Sequence, residues 1–346
     1  MVEKAPPTLS DIARQAGVSV ASVSKVLNNR IGVSLKSREL VWAIANQLGY
    51  EPKGVRPEVP GVINSVTIAT PAEFFASGQF YEEIMRGMLD AATSAQLSAN
   101  VRLLPNNEAT TRVEIEDFIA TAAPQSLLML GLDQPDIVEP IVASGIPTIL
   151  VNGMDREMRL DGLTPDNRFG GWLATRQLID AGHREIVHVT RKHRISRKRR
   201  LDGFQDALAE AGLAYDASRH LIDLEENDLL EFEAGVAIHR AFERGILDTA
   251  TAFFCCTDVI AISVLQALEA RGLSVPGDYS VIGFDDVTIA HHSRPPLTTM
   301  RVRREEMGRL AIAMLKDRIA DPAAGSRRMS VGVELVERAT IGSPRK

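Results

Sequence analysis

The sequence holds little cysteine and few aromatics: two cysteines among 346 residues, and only 5% Phe, Trp and Tyr together. Cys255 and Cys256 are neighbours in an apolar run. On a strand, adjacent side chains point to opposite faces, so a mutual disulfide or shared metal is excluded and the pair reads as small buried hydrophobes. No run of about 18 apolar residues occurs, so no transmembrane helix is expected. The opening residues, MVEKAPPTLSD, lack the apolar stretch of a secretion signal, which predicts a cytoplasmic protein. Catalytic signatures are missing as well. No G-x-G-x-x-G follows the first apolar run, and G-x-x-x-x-G-K-[ST], G-x-S-x-G and H-E-x-x-H do not occur. The seven histidines (183, 188, 193, 220, 239, 291 and 292) offer no pair at ligand spacing beside a carboxylate. Asp285 and Asp286 are adjacent, and neighbours at a strand end diverge instead of forming an acid–base dyad. Neither an enzyme nor a bound metal or cofactor is expected.

What is present is the composition of an ordinary soluble protein, 45% hydrophobic and 24% charged, long enough for two or three domains. The formal charge of −6 is unevenly spread. Residues 1–60 carry eight Lys/Arg against five Asp/Glu, and the remainder carries 31 against 40. A small basic module thus precedes a large acidic body, and an anionic polymer would bind the first and be repelled by the second.

The stretch TLSDIARQAGVSVASVSKVLNN, from Thr8, reads as two short helices and a tight turn. Thr8 and Asp11 have capping-box spacing, Ile12, Ala13 and Ala16 make an apolar face, and Gly17 supplies a left-handed stop. Ser19 caps the next helix, whose inward side is Val23, Val26 and Leu27. A third helix follows, capped by Ser34, with Leu40, Val41, Ile44 and Leu48 as its buried stripe. The pattern is that of a helix-turn-helix, whose second helix enters the DNA major groove. Val20, Ala21 and Lys25 would then face base edges. The first two can only touch thymine methyls, while Lys25 can donate to guanine. Thr8, Ser19, Ser22, Ser24 and Asn28 are the expected phosphate contacts.

Beyond residue 64, short apolar runs (SVTIAT, NVRLL, SLLML, PTILV, EIVHV, AFFCC, YSVIGF) alternate with amphipathic stretches, the mark of parallel βαβ units. So many strands in one body imply two doubly wound lobes, with any ligand outside the carboxyl ends of the strands.

The helix-turn-helix, together with DNRFGGWLATRQLIDAGHREIVHV (166–189) and PGDYSVIGFDDVTIAHHSRPPLTTMRVRREEMGRLA (276–311), resembles the lactose-repressor/galactose-repressor (LacI/GalR) family of bacterial transcription regulators. The resemblance runs from Thr8 to about Thr340. It implies an all-α headpiece (1–52), a hinge (53–63) and an effector-binding and dimerisation domain (64–342) like a periplasmic binding protein. Three crossovers would join a first lobe of about 64–163 plus 292–323 to a second of about 164–291 plus 324–342. Relatives wedge a hinge-helix leucine into the minor groove, and Val59 stands at its place here. Pro57 and Pro60 restrict that hinge to about one helical turn, too short to form unaided, so no stable wedge is expected.

The resemblance also implies the effector residues. Phe80 and Tyr81 lie where relatives often carry an aromatic pair against a sugar face; packing of one of them in the lobe core fits equally. Asn152 stands where many relatives have Asp, Thr257–Asp258 where they have Asn-Asp, and Asp285 where a carboxylate takes ligand hydroxyls. Capping of the following helix is a competing role for Asp258. Arg200, three residues before Gly203–Phe204, matches an arginine that grips ligand oxygens. The run RKHRISRKRR (191–200) is therefore expected as a loop at the cleft mouth and not as a DNA contact, with Lys192 and Arg194 assisting Arg200. Such a concentration of cations attracts anions, which points to a sugar acid or sugar phosphate. Leu230 replaces an aromatic that relatives use for stacking, which argues against a plain hexopyranose. The sequence thus predicts a dimeric, effector-controlled repressor of a carbohydrate or sugar-acid operon that binds palindromic double-stranded operator DNA. No heptad segment for a tetramer follows VELVERATIGSPRK. A periplasmic-type solute-binding protein or a sugar-processing enzyme is the alternative, opposed by the capped helix-turn-helix.

Overall fold

The computed structural model describes residues 8–27, 63–75, 79–105, 108–191, 194–224 and 234–345, together with 37, 40, 41, 44, 45 and 48. Asn28, Val59, Lys192 and Leu230 lie outside the described residues, as do both hinge prolines. The chain divides into two compact units, Met1–Asn64 and Ser65–Lys346.

In the first unit, α1 (Leu9–Ala16) begins where the Thr8 amide and hydroxyl both donate to Asp11 Oδ2, at 3.0 and 2.7 Å. The Thr8 hydroxyl and amide hold the Asp11 carboxyl below its ordinary range. Gly17, at φ 63°, ends the helix in the left-handed region that glycine enters without steric cost. Ser19 Oγ accepts the Ser22 amide at 3.1 Å and starts α2 (Val20–Leu27). Ile12, Ala13, Ala16, Val23 and Val26 pack with Val41, Ile44 and Ala45 of the third helical segment. Leu40, expected inside, is 47% exposed, because the buried face of that segment is centred on 41, 44, 45 and 48 and leaves 40 at its edge.

The second unit is two six-stranded sheets built alike. The first starts with β1 (Ser65–Pro71), α3 (Gln79–Ser94), β2 (Ser98–Leu104), α4 (Glu108–Ala122), β3 (Leu127–Leu130), α5 (Pro135–Ser144), β4 (Thr148–Val151) and β5 (Asp161–Pro165). The chain then crosses into the second, through α6 (Asn167–Asp180), β6 (Ile186–Thr190), α7 (Ile195–Glu210), α8 (Ala217–His220), β7 (Leu221–Asp223) and α9 (Ala234–Glu243). It continues through β8 (Ala252–Cys255), α10 (Asp258–Glu269), β9 (Ser280–Asp285), α11 (Thr288–His292) and β10 (Thr298–Val302). Helix α12 (Arg304–Ala320) returns to the first lobe, β11 (Arg328–Val331) completes the first sheet and β12 (Val333–Val336) the second. The orders are β2-β1-β3-β4-β5-β11 and β7-β6-β8-β9-β10-β12, so each sheet reverses direction beside its first strand. That reversal opens a crevice at the carboxyl ends of the strands.

Two expectations need correction. The lobe boundaries differ: β10, within the 292–323 expected in the first lobe, pairs in parallel with β9 of the second sheet, and β11, within the 324–342 expected in the second lobe, pairs with β5 of the first sheet. The sheets are not wholly parallel either: β12 runs antiparallel to β10, which a crossover straight from β11 imposes. The central strands β3, β4, β6, β8 and β9 are buried along their length, as sheets covered by helices on both faces require.

Helix contacts are closest at glycines. A Cβ on Gly203 of α7 would overlap the Arg168 carbonyl and lie 2.6 Å from the Trp172 amide nitrogen of α6. A Cβ on Gly308 of α12 would likewise overlap the Ile84 carbonyl and lie 2.6 Å from the Met88 nitrogen of α3. These backbone-to-backbone contacts seat α7 on α6 and α12 on the first lobe.

Candidate functional site

On the headpiece, α2 turns Val23 and Val26 inward, and the 3.6-residue period therefore turns Val20, Ala21 and Lys25 outward, where all three are exposed. Ser19 and Ser22 join hydroxyls at 2.8 Å at the start of the helix. Thr8 is exposed, and Ser22 and Ser24 are half-buried.

The second constellation lies between the lobes, at the strand ends. The basic run is not a loop: Ile195–Arg200 form the start of α7, and Arg194 is its N-cap residue. Helical spacing sorts its cations. Lys198 is exposed and Arg199 pairs with Asp202 at 3.4 Å, whereas Arg200 is turned inward and only 3% exposed. Arg200 Nε donates to Asn167 Oδ1 at 2.9 Å, Nη1 to the Cys256 carbonyl and Nη2 to Asp285 Oδ1 at 3.2 Å. Its guanidinium lies 3.5 Å from the centre of the Phe284 ring. Every polar edge of this arginine is engaged within the second lobe, and its positive charge is met by Asp285.

Arg194 behaves differently, because it reaches across. From the second lobe it donates to the Tyr81 hydroxyl and, through Nη2 at 2.9 Å, to the Asn152 carbonyl, both on the first lobe. Among the described residues no carboxylate stands within ion-pair distance of it. Asn152 follows β4 at φ 52°, and its Nδ2 donates to the same Tyr81 hydroxyl at 3.1 Å. Tyr81 stacks on Phe74 with centroids 4.1 Å apart, while Phe80 meets Tyr81 edge-on. Phe80 and Tyr81 both pack on the lobe core, as the second alternative for the pair has it, and the Tyr81 hydroxyl is bonded by Asn152 and Arg194.

Thr257 and Asp258 sit at the start of α10. Thr257 is the cap, accepting the Ile260 amide at 3.3 Å, and Asp258 is the first helical residue. Asp258 is fully buried, with Oδ2 accepting the Val287 amide at 2.9 Å and Oδ1 the Thr299 hydroxyl. Burial pushes its carboxyl well above the ordinary range, and Asp285 adds to the shift. Both oxygens are engaged inside the lobe, so neither faces the cleft. Asp285 and Asp286 occupy positive φ (116° and 54°), a conformation side chains rarely adopt. Arg304 of α12 holds it by donating to both their carbonyls while pairing with Glu83 of α3 at 2.8 Å.

Residue patterns did not single out Thr70, Asp133, Thr190 or Arg304. Thr70 is the last residue but one of β1 and Thr190 the last of β6, the first strand of each sheet, and their hydroxyls are buried with no partner. Asp133 Oδ2 and Asn152 Oδ1 share that state. The strand-end rule applied to every strand finds the two threonines; nothing in the sequence marks Arg304. Among the described residues no group of His, Cys, Asp and Glu is arranged to hold a metal, and no helix is long and apolar enough to cross a membrane.

Comparison with known proteins covers the regions that hold both constellations. Residues 8–53 match the model of bacterial regulatory proteins of the lacI family, and 175–341 match a periplasmic binding protein-like domain. The chain is 32% identical to the ribose operon repressor of Haemophilus influenzae, over 97% of this chain and 99% of the relative. It is 28% identical to the HTH-type transcriptional repressor PurR of Photobacterium profundum, over 96% and 98%. Among solved structures, the transcriptional regulator CelR–cellobiose complex superposes with a TM-score of 0.73 at 26% identity, covering 96% of this chain and 99% of that one. The Lac repressor dimer bound to operator and an anti-inducer gives 0.74 at 23% identity, covering 98% and 100%, and shares the fold. These relatives are transcription regulators and not enzymes. The chain belongs to the LacI family and is a DNA-binding, effector-controlled transcription regulator.

Proposed function

We propose that the protein is a cytoplasmic, dimeric repressor whose headpieces read a palindromic operator and whose effector is an acidic sugar derivative held between the lobes. One headpiece presents a single recognition helix and covers a half-site, so two-fold symmetry in the protein is matched by palindromy in the DNA. Val20, Ala21 and Lys25 take the base edges, and Thr8, Ser19, Ser22, Ser24 and Asn28 the phosphates, while Val59 adds no stable wedge in the minor groove. Relatives named for ribose and cellobiose support a carbohydrate effector.

The observation that carries the acidic group is Arg194, a guanidinium that crosses the cleft and is bonded only to neutral oxygens. Arg200, the closest match to the family's anchor, already has Asp285 beside it and serves better as a fixed wall with Thr257. A carboxylate or phosphate entering the cleft therefore meets Arg194, with Lys192 nearby in the chain, and a charge-assisted bond there is stronger than one to a neutral hydroxyl.

Calorimetry of the full-length protein against D-gluconate, D-glucuronate, glucose phosphate, D-glucose and D-ribose tests this. The acidic compounds should bind more tightly, and Arg194→Ala should weaken them about tenfold or more. Equal binding of neutral sugars, or unchanged affinity in Arg194→Ala, overturns the acidic effector.

A further inference from the structure

One carboxyl expected at the effector faces the interior of the second lobe instead. Asp258 is fully buried, with Oδ2 accepting the Val287 amide at 2.9 Å and Oδ1 the Thr299 hydroxyl of β10. Among the described residues no cation is bonded to it, and burial raises its carboxyl well above the ordinary range, with Asp285 and Asp286 acting in the same direction. A buried acid without a cation sheds its charge, so Asp258 stands as the neutral acid.

Its partner matters more than its charge. Val287 directly follows Asp285 and Asp286, which hold φ of 116° and 54°. Two consecutive side chains at positive φ are strained, and such a turn persists only where its surroundings fix it. Arg304 fixes it at the two carbonyls, and Asp258 fixes it at the next amide, from inside the lobe. From that turn Asp285 meets Arg200 Nη2 at 3.2 Å. Glycine at 283 leaves room for the arrangement: a Cβ there would overlap Asp258 Oδ1 and lie 2.9 Å from Leu297 Cδ2.

We propose that Asp258 is a positioning residue: through the Val287 amide it sets the Asp285–Asp286 turn and so aims Asp285 at Arg200, without touching the effector. The role needs an acceptor oxygen and no charge. An amide keeps that oxygen and offers its NH2 to the Thr299 hydroxyl oxygen, so Asn serves where Ala does not. A carboxylate that worked through its charge would lose its function in the same exchange. The inference rests on Asp285 lining the effector cleft, but its first readout needs no effector.

The experiment uses the full-length protein as wild type, Asp258→Asn, Asp258→Ala and Gly283→Ala. In hydrogen exchange without ligand, the segment from Asp285 to Ser293 should be about tenfold less protected in Asp258→Ala and Gly283→Ala, and near wild type in Asp258→Asn. Strands β3 and β4 of the first lobe should exchange alike in all four proteins, which separates local release from general unfolding. Should Asp258→Ala fail to fold, Gly283→Ala carries the same comparison. Calorimetry follows, with the panel of sugars and sugar acids named above. The compound that wild type binds should bind Asp258→Ala about tenfold more weakly, and Asp258→Asn within about twofold of wild type. Unchanged exchange in Asp258→Ala and Gly283→Ala overturns the inference, whether or not any sugar binds. Equal losses in Asp258→Asn and Asp258→Ala also overturn it, because charge and not the acceptor would then matter. Faster exchange with unchanged affinity for a bound sugar separates the turn from the effector site and removes the positioning role. If wild type binds none of the compounds, the acidic-sugar reading has failed, and exchange alone upholds or overturns Asp258's hold on the turn.

Discussion

Base recognition by this headpiece hangs on few polar atoms. Val20 and Ala21, exposed at the start of α2, offer only methyl groups to the groove. Lys25, one turn further along the same outward face, brings a flexible ammonium that can donate to guanine O6 or N7 as a point charge. Replacing Lys25 with Ala should cost about 1–3 kcal/mol of discrimination between the operator and a scrambled duplex, while leaving effector binding unchanged. Gel-shift titrations of both duplexes at one fixed salt concentration measure the difference, and an undiminished preference removes Lys25 from base readout. The neighbouring serines behave otherwise, since phosphate contacts weaken all sequences alike.

At the scale of elements, helix α7 decides how the cleft is furnished, because it carries Arg194 at its start and Arg200 one and a half turns later. Its seat is the glycine contact with α6. Gly203 faces the Arg168 carbonyl, and Gly171 of α6 faces the Arg200 carbonyl, in both cases with backbone that cannot swing aside. Gly203→Ala should therefore destabilise the body by roughly 1–3 kcal/mol through overpacking. It should also weaken effector binding, because lifting α7 from α6 draws Arg200 away from Asn167 at the head of α6. Denaturant melts and calorimetry on the same sample check both effects, and a Gly203→Ala protein as stable as wild type contradicts the contact. The same helix shows what the sequence conceals. By contrast, the starts of α1 and α2 are legible from Thr8 and Ser19, whose side chains mark them. α7 begins at Arg194 with no side-chain cap, inside a block of cations that reads as solvated loop. Seven strands, β1–β4, β6, β8 and β9, were legible as apolar runs, but β5, β7, β10, β11 and β12 were not, being short or, like β11, mostly exposed and so without an apolar signature. Arg200, Asp285 and Asn152 could be placed beside the strand ends because the family pattern fixes their spacing. Arg304 meets its partners, Glu83 and the Asp285 and Asp286 carbonyls, only through folding.

Two arginines tie the lobes of the body together from opposite sides. Arg194 projects from the second lobe to Tyr81 and Asn152 of the first. Arg304 projects from α12, seated on the first lobe through Gly308, to the Asp285 and Asp286 carbonyls of the second. The second tie also secures the positive-φ peptides from which Asp285 meets Arg200, so lobe closure and cleft geometry are linked through one side chain. An effector can shift the balance between two lobe arrangements only by binding one of them better, and coupling between two sites in proteins is typically about 1–3 kcal/mol. If the arrangement seen here is the one the effector selects, removing Arg304 makes that arrangement harder to reach and the effector must supply the difference. Arg304→Ala should then bind effector about tenfold more weakly, with faster amide exchange in the segment from Asp285 to Ser293. Arg304→Lys, which keeps the charge but not the fork that spans two carbonyls, should fall between the two. Calorimetry with the panel compound that wild type binds gives the first measurement, and hydrogen exchange without effector gives the second. Weakened binding without faster exchange would place Arg304 among the groups that touch the effector, and unchanged values of both would leave Arg194 as the sole tie that matters.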